Sequence, residues 1–147
     1  LSAPVFNGTA VASTAIAAHE VGHAIQHAKG YSMFRLRSAM FPAVSFASTA
    51  WMFLLMGGVL LNTVGLVQVG VLLFAVVVLF QLVTLPVEFD ASRRALEQVK
   101  SLGLVQTSEG AGAKKVLSAA ALTYVAAALA ALTQLAYFVL AYLGNRN

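Results

Sequence analysis

The feature that most constrains this chain is where its charge is missing. Between Arg37 and Glu88 there is no charged side chain, and there is none between Lys115 and Arg146. A bilayer core is crossed by about 20 consecutive apolar residues in a helix, and both stretches exceed that. Only 10% of the 147 residues are charged, against about 25% in an ordinary soluble domain. The expected fold is therefore all-α: an integral membrane helical bundle with about three transmembrane helices, forming a single domain over residues 1–147.

The elements follow from the punctuation of the chain. Pro4 and Asn7-Gly8 predict an irregular start over residues 1–8. A helix is expected from Thr9 to Ala28, stopped by Gly30 as the residue just past its C-cap. A first span is expected over Phe41 to Leu61, a polar break at Asn62-Thr63, and a second span over Leu66 to Leu85 ended by Pro86. A further helix then runs through Glu88 to Leu102, a loop covers Gly103 to Gly112, and a last span covers Val116 to Leu143. The alanines of that last span suit close packing between helices.

Two crossings separate the segment before Phe41 from the segment after Pro86, so both should lie on one side of the membrane. Arg35, Arg37, Arg93, Arg94, Lys100, Lys114 and Lys115 lie there, which makes that side cytoplasmic by the positive-inside rule. The net charge is only +4, and the basic residues flank apolar segments instead of forming a patch with interleaved aromatics. That is the pattern of a lipid-bilayer partner and not of nucleic acid. The chain has no cysteine, so disulfides, thiolate metal clusters and cysteine nucleophiles are excluded. Leu1-Ser2-Ala3-Pro4 has neither a basic region nor an apolar core of the signal-peptide kind, and the chain reads as a piece of something longer.

One short run carries chemistry. His19-Glu20-Val21-Gly22-His23 puts two imidazoles at i and i+4, one above the other on a helix face. That spacing lets both reach a single Zn2+ at about 2.0–2.1 Å. Glu20 projects about 100° further round the helix, from where it can serve as general base to a zinc-activated water without occupying the metal. Two histidines on a helix can also be buried and satisfied by backbone or by a neighbouring carboxylate. Here they stand out against Ala17, Ala18, Val21, Gly22, Ala24 and Ile25, so they need partners.

Catalytic zinc commonly has three protein ligands and an open position. His27 lies about 6 Å further along the axis than His23, too far to share the ion, and is expected to support the site, face substrate or sit at the membrane interface. Glu88 is the stronger candidate, as the first charge after the two-span hairpin. Asp90 is its rival, with a salt bridge to Arg93 or Arg94 as its ordinary role. A metzincin would carry its third histidine where this chain has Lys29. A site-2 intramembrane protease would need a downstream Asp-Gly pair, which does not occur.

The runs Ala17 to His27 and Leu85 to Leu96, together with Ala119 to Ala126, resemble the bacterial YugP-like neutral zinc metallopeptidases over essentially the whole chain. The resemblance implies a zinc-dependent membrane peptidase with one Zn2+ ion, in the bacterial inner membrane; the substrate expected of such a site is polypeptide, membrane-proximal or misfolded. The resemblance also implies an N-terminal membrane segment preceding the metal helix, missing from a truncated chain. The run Glu88-Phe89-Asp90-Ala91-Ser92 is similar to the Glu-x-x-Ala-Asp motif of HtpX-type membrane peptidases, which implies Glu88 as third ligand. That motif ends in Asp where this chain has Ser92, so a carboxylate role is not available at that position. Arg93 or Arg94 would be placed to stabilise an oxyanion, against a plain topology role for both. The alternative reading is a non-catalytic membrane protein with a structural or transported metal, its fourth position closed by Asp90 or His27.

Overall fold

In the computed structural model, which describes residues 1–104 and 109–143, all regular structure is helical. The helices are α1 (Ala3–Phe6), α2 (Val11–Ala28), α3 (Ser32–Leu60), α4 (Val64–Ser101) and α5 (Gly110–Phe138), the last followed by a π turn at Val139–Leu143. α3, α4 and the α5 region are each long and apolar enough to cross a membrane. The architecture is thus the all-helical membrane fold that the uncharged stretches predict. Two compact units divide the chain: Leu1–Arg35 with Thr84–Val125, and Leu36–Val83 with Ala126–Asn147. Each is assembled from two separated stretches, so neither is a contiguous piece of sequence.

Several helix limits differ from those expected, for identifiable reasons. Residues 3–6 form one helical turn, with Pro4 in the first-turn position where a missing N–H costs nothing. α2 ends as expected. Gly30 has φ +63°, its N–H bonds to the His27 carbonyl at 3.1 Å, and the Tyr31 N–H bonds to the Gln26 carbonyl at 2.9 Å. That paired arrangement satisfies the last carbonyls of the helix. α3 begins at Ser32 and not at Phe41, because Gly30 sets the break whereas Arg35 and Arg37 do not interrupt a helix.

The larger difference is at Pro86, which lies inside α4 and does not end it. Its ring holds φ near the helical value and removes one backbone bond, to the Leu82 carbonyl. In apolar surroundings a full break would leave more backbone groups unpaired than this single loss, so the helix continues. α5 starts at Gly110, ahead of the expected Val116, since Ala113 is fully buried and packing recruits the first turn. Residues 105–108 of the expected loop lie outside the described residues.

The first unit packs on small side chains. Ala15 and Ala18 of α2, Ala95 and Val99 of α4, and Ala113 and Leu117 of α5 form one buried cluster. The second unit packs on large ones: Val67, Val71, Phe74 and Val78 with Phe138, flanked by Trp51 and Leu55. Its α3–α4 hairpin turns at Asn62, φ +50°, where Thr63 N–H closes on the Gly58 carbonyl at 2.8 Å. Large apolar side chains also point outward, with Leu60 80% and Leu72 66% exposed, as lipid contact requires.

Candidate metal centre

Close approach of two helices builds the site. A Cβ added at Gly22 would lie 3.0 Å from the Ala91 carbonyl carbon and nearer still to its oxygen. Only glycine permits this contact, and it answers why a helix interior tolerates a residue that costs up to about 1 kcal/mol there. With Ala15, Ala18 and Gly22 on α2 facing Ala91 and Ala95 on α4, both backbones come near enough for short side chains to meet between them.

Three side chains meet there. His19 Nε2 lies 3.0 Å from Glu88 Oε2, and His23 Nε2 lies 3.5 Å from the same oxygen. The two rings are 4.7 Å apart between centroids and nearly perpendicular. Among the described residues, His19, His23 and Glu88 form the one group of three that could hold a metal ion, with ligand atoms within 4.8 Å of one another. Tetrahedral zinc with bonds of about 2.0–2.1 Å sets its donor atoms about 3.3–3.4 Å apart. The observed 3.0 and 3.5 Å bracket that spacing, so the residues fit a zinc ion. Glu88 is 2% exposed and the two histidines only partly buried, which leaves the centre open on the histidine side.

The far nitrogens of both rings are also engaged. Ser92 Oγ lies 3.2 Å from His19 Nδ1, and Gln26 Oε1 lies 3.0 Å from His23 Nδ1. Metal-binding histidines are characteristically held this way through the nitrogen that does not face the metal. Gln26 is fully buried and ties α2 to α4, its Nε2 donating to the Val87 carbonyl at 2.8 Å and to Asp90 Oδ2 at 2.9 Å. Neither contact was read from the sequence. Gln26 was legible in outline, as a polar residue after the apolar Ala24 and Ile25 and on the helix face of His19 and His23. For Ser92 the signal was its place at the last position of the Glu-x-x-Ala-Asp motif, where a serine stands in place of the carboxylate.

The remaining candidates are placed elsewhere. Asp90 is outside the three-residue group, its carboxylate taken by Gln26, by Arg93 and by Arg94 Nε at 2.6 Å. Arg93 and Arg94 are thereby drawn to Asp90, and Arg94 also lies over the Tyr31 ring. His27 is exposed, its ring edge-on to Phe34 at 6.0 Å. Glu20 is exposed, and by helix geometry it projects about 160° away from the Gly22 contact.

A family model described as "Putative neutral zinc metallopeptidase" matches residues 1–143. The chain belongs to that family. It is also 48% identical to the "Putative membrane protease YugP" of Bacillus subtilis (strain 168), over all 147 residues of this chain and 65% of that protein. The chain therefore spans just under two thirds of that relative's length. No solved structure matches it. The zinc peptidase family name implies zinc, and the three-residue group offers this member a place for the ion.

Proposed function

We propose that this chain is the metal-binding part of a zinc-dependent membrane peptidase, with one Zn2+ held by His19, His23 and Glu88 and with Glu20 as general base. The observation that carries the proposal is convergence: two imidazole Nε2 atoms meet one buried carboxylate oxygen, while both Nδ1 atoms are occupied by Ser92 and Gln26. When bound there, zinc would polarise the scissile carbonyl and acidify a water for attack. Glu20 takes the proton from the attacking water and returns it to the leaving amine nitrogen. The two imidazoles are held in position by the contacts of their Nδ1 atoms with Ser92 and Gln26.

Support for a catalytic over a structural or transported metal comes from the fourth position. Asp90 is committed to Gln26, Arg93 and Arg94, and His27 stands outside the group, so neither is available to close the site. The substrate in this reading is polypeptide, membrane-proximal or misfolded, reached from the cytoplasmic side of a bacterial inner membrane. Support for that side is the basic charge of Arg35, Arg37, Arg93, Arg94, Lys100, Lys114 and Lys115. The test is Glu20→Gln. It is expected to leave zinc bound and to lower peptide cleavage by at least about 100-fold. Cleavage at the wild-type rate by this variant would refute the mechanism.

A further inference from the structure

We propose that Gln26 is a positioning residue that fixes the tautomer of His23, so that His23 presents an Nε2 lone pair to the metal before any ion arrives. The inference rests on the metal-site reading above, and the chain of constraint behind it runs through donors and acceptors.

Asp90 accepts from Arg93 on one carboxylate oxygen and from Arg94 on the other. The Val87 carbonyl can only accept. The Gln26 atom that lies 2.8 Å from Val87 O and 2.9 Å from Asp90 Oδ2 must therefore be its amide nitrogen, which spends both protons there. Its oxygen is then the atom 3.0 Å from His23 Nδ1. An amide oxygen can only accept, so Nδ1 carries the ring proton. Where the imidazole is neutral that is its one proton, and the ring's lone pair then lies on Nε2, the nitrogen 3.5 Å from Glu88 Oε2. Gln26 is fully buried, Asp90 is buried to all but 8%, and His23 is partly buried.

His19 shows by contrast what Gln26 adds. Its Nδ1 faces the Ser92 hydroxyl, which can either donate or accept, and its Nε2 lies 3.0 Å from Glu88, a distance that suits a donated hydrogen bond. His19 can thus give its Nε2 proton to Glu88 in the metal-free protein and shift tautomer when an ion displaces that bond. His23 has no such freedom. One ligand is set in advance and the other adapts, which keeps Glu88 partnered in the metal-free state.

The test uses the full chain in detergent micelles, stripped of metal and labelled with 15N-histidine, at a pH where the imidazoles are neutral. Long-range 15N–1H correlations read the tautomer directly. Wild type is expected to show His23 as a single Nδ1–H form. In Gln26→Leu that form should give way to Nε2–H or to a mixture, and the zinc Kd, measured by competition with a chelator, should rise about 10- to 100-fold. The double variant Gln26→Glu with Asp90→Asn keeps an acceptor on His23 Nδ1, although a carboxylate oxygen then faces the Val87 carbonyl, and should recover the Nδ1–H tautomer in the folded protein.

Four results would overturn the proposal. The first is an Nε2–H tautomer at His23 in the wild type, which requires no variant to fold. The second is zinc binding by Gln26→Leu within twofold of wild type. The third is a folded double variant in which His23 is Nε2–H despite the acceptor kept at position 26, which would assign Gln26 to helix packing alone. The fourth concerns the underlying reading: zinc binding undiminished by His23→Ala would refute the metal site, and this role with it, even with the Nδ1–H tautomer present.

Discussion

The two units of this chain are both helical and both apolar, yet they are held together differently. The unit formed by Leu1–Arg35 and Thr84–Val125 contains every acidic residue and every histidine of the chain, and buries Gln26, Glu88, Asp90 and Ser92 among alanines. The unit formed by Leu36–Val83 and Ala126–Asn147 encloses Trp51, Phe74 and Phe138 around a valine row, with ring centroids 4.6–5.9 Å apart. In the second, volume is what matters, and shape complementarity between large rings supplies the cohesion. In the first, small side chains bring two backbones close, and the space so shared is filled by hydrogen-bonded polar groups. A site that must hold a cation at fixed distances needs the first unit's kind of packing, because polar groups that are fully partnered have one arrangement.

The largest expected effect belongs to the aromatic unit. Phe74→Ala should lower stability by about 3–5 kcal/mol, read from denaturation in micelles, while zinc content per folded molecule stays unchanged. An equal loss of zinc would break the distinction between a core that holds the fold and a site that holds the ion. Next comes Gly22→Ala, where one methyl group meets the Ala91 backbone. It should cost about 1–3 kcal/mol and weaken zinc binding together with stability, since backbone has no rotamer by which to yield.

Ser92→Ala should be milder in stability and visible in metal affinity, about a tenfold rise in zinc Kd, because it frees His19 Nδ1 without leaving a charge unpaired. The smallest effect is Gly57→Ala in α3, with nothing within 4 Å of the added methyl. There the same substitution made at Gly22 should be neutral or stabilising by up to about 1 kcal/mol. Opposite signs at two helix-interior glycines would sharpen the comparison; equal destabilisation would count against it.

How much of this was legible beforehand follows the same division. The spans were readable because lipid demands uncharged length, and the candidate metal helix because i, i+4 histidines beside a glutamate stand out against small apolar neighbours. Glu88 was reachable by counting crossings and by resemblance. What escaped was local and three-dimensional. Pro86 reads as a helix end by rules learned in water, where a broken helix can be solvated, and α4 runs through it in apolar surroundings. Gln26 and Ser92 escaped because their partners, Val87, Asp90 and His19, are distant in sequence, and only the Gly22–Ala91 approach brings them within bonding distance.

The most direct test of the central claim is the zinc content of the purified protein after exhaustive dialysis, compared among wild type, Glu88→Gln and His27→Ala. One equivalent of zinc is expected in wild type and in His27→Ala, and much less than one in Glu88→Gln, whose amide keeps the shape of the carboxylate but ligates poorly. Full zinc in Glu88→Gln, or its loss in His27→Ala, would contradict the assignment of His19, His23 and Glu88 as the ligands.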